Sequence, residues 1–498
     1  MAAQQLIQQP DDLLAMTISA EAAISLRRLV EAEGLLRKVL ERAPSFLRAS
    51  MMLARSLMLQ SRMAAAIGVM EDAVSRVPNS IAPNKMLAQL RAEIHDFDGA
   101  AAEYERLLSK NDRETDLWVS YGDMLRFIGR RTDSELAYRR ALVVDAGSGL
   151  AWWGLTDLDP GAITDTDVSR MKTALEQRSN NPEDVGSLQF ALGAVLDKRG
   201  QHVEGFTHFA EGNRLRQVAQ PYDPSTLTNE VARSIKIFTD KFYVSRSNGM
   251  TRDDSPIFIV GMPRSGSTLV ERILGQHSQV EATGELPIIP RMVEPLSVKG
   301  GGIGKYRDIL SQLPSAQVRD LGEQYLELAR EFRKSERRSF TDKLHMNWRH
   351  IGFIRLILPN ARIIDVRRGA LDCCWSNYKL LFTRGHPAAS GLDHIGRFYA
   401  DYVRMMDHMD EAQPGAVLRV HYEDVVEDIE RETRRMFDFI GAPFEQGCLD
   451  FHLSEAPTAT ASSEQVRRPL NREGIGSSRP YAQWLGPLRD ALGPLADS

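Results

Sequence analysis

The chain has 498 residues, 43% of them hydrophobic and 26% charged, with a formal net charge of −5, which predicts two or three globular domains. Without a basic excess, nucleic acid is not an expected partner, and no apolar run approaches the ~18 residues of a membrane span. Residues 1–12 lack the basic and apolar regions of a secretory signal, so we expect a cytoplasmic protein. The three cysteines show no metal-ligand spacing, and we predict that they are reduced, buried thiols.

Residues 13–148 contain an internal repeat with a period of 34 residues. Breaks between helical patterns recur at Pro44, Pro78, Asp112 and Ala146. Small residues recur at Ala32, Ala66, Ala100 and Ser134, and larger ones at Leu36, Met70, Tyr104 and Tyr138. Trp118 and Trp152 repeat as well, and Tyr121-Gly122 stands where a first helix closes against a second. The pattern resembles tetratricopeptide repeats and predicts four helix-turn-helix units.

A fifth unit begins at Gly149 and loses the pattern after Asp157, where a proline and a glycine follow. A further helical pair then resumes, with several phenylalanines on its second helix. We predict a repeat solenoid over residues 13–215, a linker and connecting helix over 216–254, and a second domain over 255–490.

The sequence leaves two uses of the repeats open. A groove along the solenoid would bind an extended peptide, the tail of a protein acceptor or another partner, as in many solenoids. Alternatively, the array would mediate homodimerisation and support the second domain.

The second domain opens with a strand, a loop and a helix. The apolar run 257–260 predicts a strand buried on both faces. Residues 261–268 then fit the phosphate-loop spacing GxxxxG[KST][ST], but Ser267 stands where ATP-binding loops carry lysine, and the positive charge is at Arg264. Such a loop presents backbone N–H groups at a helix N-terminus, which predicts a binding site for phosphate or sulfate.

Further apolar runs at 338–343, 361–368 and 416–424 alternate with helical patterns. This alternation predicts an α/β domain with a parallel sheet and helices on both faces. In such sheets ligands bind at the carboxyl ends of the strands. We therefore expect the unusual residues that follow each strand to converge on one site.

Arg368, Asp372 and Ser376 follow one of these strands at steps of four, on one face of a helix. Arg368 and Ser376 are suited to a second phosphate, with Asp372 orienting the arginine. The alternative is an ordinary surface ion pair.

Glu285 follows Gly284 on a loop after the first helix, near the predicted anion site. A bound anion would raise the pKa of its carboxyl, which suits a general base for an acceptor hydroxyl. Lys343 would neutralise charge on a leaving oxygen, and His345 is a second candidate base. A solvated glutamate, a surface lysine and a core histidine are the alternatives.

Three motifs agree in order and chemistry: PRSGST followed by TGE, RxxxDxxxS after a strand, and SSEQVRRPLN near residue 470. Together they resemble sulfotransferases that use 3'-phosphoadenosine 5'-phosphosulfate. The likeness is greatest to tyrosylprotein sulfotransferases and to bacterial proteins that fuse tetratricopeptide repeats to this domain. It covers residues 255 to 485, and the fused architecture extends it over most of the chain.

The resemblance implies a role for each matching residue. The 5'-phosphosulfate would be held by Pro263, Arg264, Ser265, Gly266, Ser267 and Thr268. The 3'-phosphate would be held by Arg368 and Ser376, with Tyr422 near the adenine and Arg468 and Asn471 in a cofactor lid. Glu285 matches the family's base, and Ser462 matches a serine that fixes the transferring sulfuryl group.

Three departures from the family pattern stand out. The usual second glutamate after Gly284 is absent, and Gly369-Ala370 replace a proline that usually follows Arg368. His345 stands where repeat-fused proteins often have proline, whereas cytosolic sulfotransferases carry a catalytic histidine in a similar run. The base is therefore Glu285 first and His345 second.

The resemblance implies sulfuryl transfer to an acceptor hydroxyl, with adenosine 3',5'-bisphosphate as product and without a metal. A peptide or protein tyrosine is the favoured acceptor, while a saccharide, lipid or small-molecule hydroxyl stays open. One rival is a P-loop kinase or nucleotide-dependent transferase, against which Ser267 argues. The other rival is a non-catalytic repeat scaffold.

Overall fold

The computed structural model describes Gln9 and residues 11–177, 181–246, 251–302, 305–382, 385–454 and 456–497. Four antiparallel helix pairs open this part of the chain. They are α1 (Leu13–Ser25) with α2 (Leu29–Arg42), α3 (Leu47–Leu59) with α4 (Met63–Arg76), α5 (Ile81–Glu93) with α6 (Phe97–Leu108), and α7 (Thr115–Phe127) with α8 (Arg131–Val144).

The structure confirms the 34-residue period. The recurring small and large residues, from Ala32 and Leu36 to Ser134 and Tyr138, are buried in every unit. Two tryptophans make equivalent bonds: Nε1 of Trp118 donates to the Asp112 carbonyl over 2.8 Å. Nε1 of Trp152 donates in the same way to the Ala146 carbonyl over 3.0 Å. Each tryptophan thus ties a first helix to the break before it.

The solenoid is interrupted after the first helix of the fifth unit, as the sequence predicts. The elements that follow are α9 (Gly149–Leu158), a 3₁₀ turn (Pro160–Ala162), α10 (Asp165–Gln177), α11 (Pro182–Lys198) and α12 (His202–Ala219). Helices α11 and α12 form the resumed pair, and Gly193 lets the Phe209 ring approach closely, because a Cβ at this glycine would lie 2.8 Å from the ring.

One residue in the left-handed region of φ separates the two helices of each repeat. These residues are Arg27, Ser61, His95 and Gly129, with φ of 59°, 60°, 60° and 83°. Their spacing repeats the 34-residue period. Because equivalent turns of a solenoid lie along one edge, we call the segments 26–28, 60–63, 94–96 and 127–130 the turn edge.

The turn edge contacts the second domain in every repeat. Arg27 forms an ion pair with Glu294, and the Met63 amide donates to Glu331 over 3.1 Å. His95 bonds the Thr283 carbonyl over 2.9 Å, and the Phe127 carbonyl accepts from the Thr458 amide over 2.9 Å. The repeats are therefore attached side-on to the second domain.

The connecting segment over 216–254 contains two helices rather than the one that the sequence predicts. The structure has α13 (Pro224–Ile237) and α14 (Asp240–Val244), with a break at Phe238. Thr239 caps the second helix by accepting from the Phe242 amide over 3.3 Å. Phe238 is buried against Gly352 of the second domain, so packing of this ring accounts for the break.

The second domain is built on a five-stranded parallel sheet in the order β2-β3-β1-β4-β5. Its strands are β1 (Pro256–Gly261), β2 (Val280–Glu281), β3 (Ser339–Asp342), β4 (Arg362–Arg367) and β5 (Val417–His421). Sequence patterns predict all but β2, whose two residues are too few to show a period.

Helices cover both faces of the sheet, as predicted. Phe258 and Val260 of β1 belong to one apolar core, which also includes Phe238 of the connecting segment. The alternate residues Ile257 and Ile259 belong to a second core on the opposite face. Because successive strand residues point to opposite faces, β1 is buried on both.

The remaining helices are α15 (Ser267–Gly275), α16 (Ile288–Lys299), α17 (Tyr306–Leu310), α18 (Ser315–Arg330), α19 (Ile351–Ile357), α20 (Ala370–Tyr378), α21 (Leu392–Ala412), α22 (Tyr422–Glu427), α23 (Ile429–Ile440) and α24 (Gly486–Leu492). Short 3₁₀ segments lie at His345–His350, Pro387–Ser390, Gln446–Leu453, Arg479–Trp484 and Gly493–Asp497. Within the described ranges, no helix has the length and apolar content to cross a membrane. The three cysteines are free and buried, as predicted.

Gly122→Ala should destabilise the solenoid by about 1–3 kcal/mol, because overpacking a filled core costs this much. A Cβ at Gly122 would lie 2.7 Å from the ring of Tyr138, which is fully buried and donates to Asp123 over 2.6 Å. The free energy of unfolding in urea measures the effect.

Gly68→Ala is the matched control. In the described structure no atom lies within 4 Å of the added Cβ, so alanine should stabilise α4 by about 0.5–1 kcal/mol. Equal effects of the two substitutions would contradict the close packing of Gly122 against Tyr138.

Candidate active site

The loop between β1 and α15 depends on backbone conformations that favour glycine. Gly261 has a φ of 151°, and a Cβ there would lie 2.5 Å from the Val366 carbonyl oxygen. Gly266 has a φ of 102°, and a Cβ there would lie 2.8 Å from the Tyr422 ring. Arg264, with a φ of 66°, takes the left-handed conformation without being glycine. Such a strained residue is characteristic of functional loops.

Arg264 reaches across the site to the segment before residue 470. Its guanidinium donates to the Ala461 carbonyl over 2.9 Å, to Ser462 Oγ over 2.6 Å and to Gln465 Oε1 over 2.9 Å. Its Nε donates to Ser376 Oγ over 3.2 Å. Every one of these acceptors is uncharged, so the arginine keeps its full positive charge at this position.

Arg368 is buried beside Arg264. It donates to the Arg264 carbonyl over 3.1 Å, to Ser477 Oγ over 3.2 Å and to the Gly474 carbonyl. Its guanidinium lies 5.5 Å from the centre of the Tyr422 ring. Its Nε is buried without a hydrogen-bond partner among the described residues.

The two arginines form an uncompensated positive pair. Burial and the charge of Arg368 lower the pKa of the Arg264 guanidinium to about 10. Neither arginine has a carboxylate within 4.0 Å in the described part of the chain. Burying like charges together is costly, so this pair favours a bound anion.

Both arginines line a cavity of about 380 Å³. This volume is within the usual range for a small-molecule site. The predicted site residues in its wall are Arg264, Gly266, Thr268, Arg368, Ser376, Tyr422, Ser462, Arg468 and Asn471. The repeats complete the wall with Trp153 and with Asp157, which is paired with Arg126.

Three predicted loop residues lie outside the wall and support the loop. The Pro263 carbonyl accepts from Asn377 Nδ2 over 2.7 Å. Ser265 is buried, and its Oγ has no partner among the described residues. Ser267 begins α15, with Gly266 at the N-cap. The loop thus places the N-terminus of α15 and an unsatisfied hydroxyl beside the arginine pair.

The sequence predicts that Asp372 orients Arg368, but the structure gives this carboxylate other partners. Its carboxylate accepts from the Gly476 amide over 2.6 Å and from the Ser478 amide over 2.8 Å. Asp372 therefore holds the same segment whose Gly474 carbonyl contacts Arg368.

A second cluster consists of Glu285, Lys343 and His345. Lys343 Nζ donates to Glu285 Oε1 over 2.7 Å, and His345 Nδ1 lies 3.9 Å from the same oxygen. Lys343 is 1% exposed, whereas 32% of the Glu285 side chain is accessible. The carboxylate is therefore open to an incoming molecule, while the lysine is not.

Opposing effects set the pKa of the Glu285 carboxyl. Burial alone raises it, but Lys343 and His345 outweigh burial and hold the pKa of the carboxyl well below its usual range. For Lys343, burial lowers the pKa, and Glu285 and Glu271 more than offset it. In this structure the two groups therefore form a charged pair.

The two clusters are separate but mechanically linked. Glu285, Lys343 and His345 are not in the wall of the cavity. Glu271 of α15, the helix that follows the anion loop, accepts from the Gly284 amide over 3.0 Å and from Thr341 Oγ1 over 2.7 Å. One helix thus connects the anion loop to the glutamate loop.

Several contacts of the site escaped the sequence reasoning. Gln465 accepts a hydrogen bond from Arg264 and lies inside the SSEQVRRPLN motif. Ser477 accepts one from Arg368 and lies six residues after the motif, so the motif is a signal that could have pointed to both residues. His95, Trp153 and Asp157 belong to the repeats, and no periodic pattern distinguishes their role. Among the described residues, no group of three or more His, Cys, Asp or Glu side chains is arranged to hold a metal ion.

Comparisons with known proteins agree with this architecture. The sulfotransferase family model matches residues 256–446, and the tetratricopeptide repeat model matches residues 6–81 and 85–155. The matched sulfotransferase region includes both clusters but ends before Ser462, Arg468 and Asn471.

Two curated relatives and one solved structure illustrate the likeness. An uncharacterised protein of Aquifex aeolicus (strain VF5) is 30% identical over 344 residues, which cover 68% of this chain and 45% of that protein. Protein-tyrosine sulfotransferase A of Caenorhabditis elegans is 22% identical over 263 residues, covering 49% of this chain and 65% of that protein. The sulfotransferase domain of the Synechococcus PCC 7002 olefin synthase is 22% identical and covers 47% of this chain and 96% of its own, with a TM-score of 0.31.

The chain spans less than two thirds of the length of either curated relative. Its repeat region and its α/β domain each match a known family, in the order in which the structure arranges them. The chain therefore consists of tetratricopeptide repeats followed by a domain of the sulfotransferase family.

Proposed function

We propose that this chain transfers a sulfuryl group from 3'-phosphoadenosine 5'-phosphosulfate to an acceptor hydroxyl. The observation that carries the proposal is the pair Arg264 and Arg368, which share one cavity wall without a carboxylate partner among the described residues. A donor with phosphate groups at two positions matches two separate cationic groups. Neutral serine and backbone contacts beside them suit the same anionic oxygens.

The residues in and around the cavity fit this donor. The loop from Pro263 to Thr268, with Arg264 and the start of α15, would hold the 5'-phosphosulfate. Arg368 and Ser376 would hold the 3'-phosphate, and Tyr422 would lie near the adenine. Arg468 and Asn471 would belong to the lid, and Ser462 would contact the transferring group. When bound, the donor supplies the activated sulfuryl group.

The residues of the second cluster would prepare the acceptor. Glu285 would accept the proton of the acceptor hydroxyl, because its carboxylate is ionised and accessible. Lys343, buried and charged, would stabilise negative charge that develops between the donor and the acceptor. His345 is the second candidate base.

The low pKa of Glu285 limits its strength as a base in this structure. A bound anion would oppose the positive charge of Lys343, and so would raise the pKa of the Glu285 carboxyl. Binding of the donor would therefore make Glu285 a stronger base toward the acceptor hydroxyl.

We propose a peptide or protein tyrosine as the first acceptor to test. The likeness to a protein-tyrosine sulfotransferase and the fused repeats support this choice. The rival P-loop kinase is disfavoured by Ser267, because kinases of this type use a lysine there to reach the β- and γ-phosphates.

Arg264→Ala should abolish stabilisation by adenosine 3',5'-bisphosphate, because it removes the cation shared by the loop and the lid. In the unchanged protein, bisphosphate at 100 times its Kd should add about 2.7 kcal/mol of stability. Thermal unfolding with the bisphosphate, with Mg-ATP and with neither measures this difference.

The control is Arg338→Ala. Arg338 is an exposed arginine of the second domain and is paired with Asp254. The substitution should leave the bisphosphate effect unchanged. Stabilisation by Mg-ATP alone would overturn the sulfotransferase proposal in favour of the kinase.

Glu285→Gln should retain bisphosphate binding and lose turnover by about 10² or more, because the amide cannot accept the acceptor proton. Labelled-sulfate transfer to a tyrosine peptide measures turnover. Glu327→Gln, an exposed glutamate paired with Arg330, is the matched control and should be neutral. Unchanged turnover in Glu285→Gln would assign the base to His345 or to another group.

Lys343→Met should make turnover fall as the pH drops from 8 to 5. Without the lysine, burial raises the pKa of Glu285, so the carboxylate becomes protonated on the acid side of this range. In the unchanged protein the low pKa keeps Glu285 ionised throughout. The rate against pH measures the shift.

Lys299→Met, at an exposed lysine, should leave the pH profile unchanged. Bisphosphate affinity within twofold of the unchanged protein shows that Lys343→Met still folds. A profile for Lys343→Met identical to that of the unchanged protein would contradict the control of Glu285 by this lysine.

A further inference from the structure

His95 is a residue of the repeats that contacts the loop carrying Glu285. It occupies the left-handed position of the third turn of the turn edge, with a φ of 60°. Its Nδ1 lies 2.9 Å from the Thr283 carbonyl oxygen, two residues before Glu285. The ring also contacts Gly284, where an added Cβ would lie 3.0 Å from Cε1. No side chain would fit between the histidine and this loop without a shift.

The direction of the hydrogen bond follows from the chemistry of the two atoms. A carbonyl oxygen only accepts, so His95 must carry its proton on Nδ1. Burial, with a smaller contribution from the positive charge of Lys343, lowers the pKa of His95 to about 4, so the ring is neutral at pH 7. His95 is therefore a fixed donor in one tautomer.

The ring itself is firmly held. It stacks on Phe97 of the same repeat at 5.5 Å between centres and contacts the edge of Phe332 of the second domain at 5.8 Å. The His95 carbonyl accepts from Lys334 Nζ over 3.0 Å. Both the backbone and the side chain of His95 thus join the two parts of the chain.

Among the described residues, the loop before Glu285 has four other hydrogen bonds, all within the second domain, one of which Thr283 Oγ1 donates to the Thr341 carbonyl. The Thr283 amide donates to Thr341 Oγ1 over 3.1 Å, and the Gly284 amide donates to Glu271 over 3.0 Å. The Gly284 carbonyl accepts from the Lys343 amide over 2.9 Å. His95 supplies a further contact from the repeats, so it limits motion of the loop.

We propose that His95 is a positioning residue for the reaction: the third repeat holds the Thr283-Gly284 segment through the Nδ1 donor and thereby fixes Glu285 against Lys343. This inference rests on the proposed role of Glu285, but the holding of the loop can be measured without any turnover. The repeats are then a structural part of the site that activates the acceptor.

The test compares His95→Ala with His95→Asn in the full chain. Asparagine tolerates the left-handed conformation. Its Nδ2 is bonded to Cγ, as Nδ1 of histidine is, so the substitution keeps an N–H donor at the same position. Ser61→Ala is the matched control, because Ser61 holds the equivalent left-handed position one repeat earlier, with a φ of 60°. Hydrogen exchange of the segment 281–287, bisphosphate affinity, and kcat and KM for a tyrosine peptide are measured for each.

For His95→Ala we expect exchange of 281–287 to rise severalfold and kcat to fall about tenfold, with bisphosphate affinity unchanged within twofold. His95→Asn should recover most of the exchange protection and most of kcat. Ser61→Ala should match the unchanged protein in both measurements. Faster exchange over the whole second domain, or failure of asparagine to restore protection, would overturn the proposal in favour of a purely structural role.

A protein that shows no sulfuryl transfer at all would refute the proposed function but not the positioning, which the exchange data judge alone. Unchanged exchange of 281–287 in His95→Ala would refute the positioning whatever the turnover.

Discussion

The structure of the site depends on two guanidinium groups that are held together with no carboxylate within 4.0 Å among the described residues. Arg264 and Arg368 occupy one cavity wall, and Arg368 donates to the backbone of Arg264 itself. Burial of like charges is unfavourable unless a counter-charge arrives. The left-handed Arg264, the two glycines of its loop and the segment from Ala461 to Ser477 all serve to hold this pair in place.

The cluster of Glu285, Lys343 and His345 is built on the opposite electrostatic principle. Glu285 is already paired with Lys343, so its charge is satisfied and the carboxylate stays ionised. Helix α15 connects the two clusters, since it starts at the anion loop and carries Glu271, which bonds the Gly284 amide. Through Glu271 this helix thus joins the loop that precedes it to the loop that carries Glu285.

The sequence predicts the parts of this arrangement that leave a periodic or motif signal. The 34-residue repeat, four of the five strands and the anion loop are all readable, because burial and turn chemistry constrain residue type at fixed spacing. The connecting helix was predicted without its break, because the burial of Phe238 against Gly352 is a tertiary effect. The lowered pKa of Glu285 depends on the position of Lys343, which is 58 residues away in sequence. The contact of His95 with Thr283 spans 188 residues and has no local signature.

The turn edge limits how this chain can vary. Solenoids generally gain or lose whole repeats freely, because each unit contacts only its neighbours. Here successive turns contact different partners: Glu294, Glu331, Thr283 and Thr458 in order. Removing the third 34-residue unit would leave a continuous stack, yet it would bring a serine or a glycine to the place of His95. The number of repeats before the interruption is therefore constrained by the second domain as well as by the solenoid.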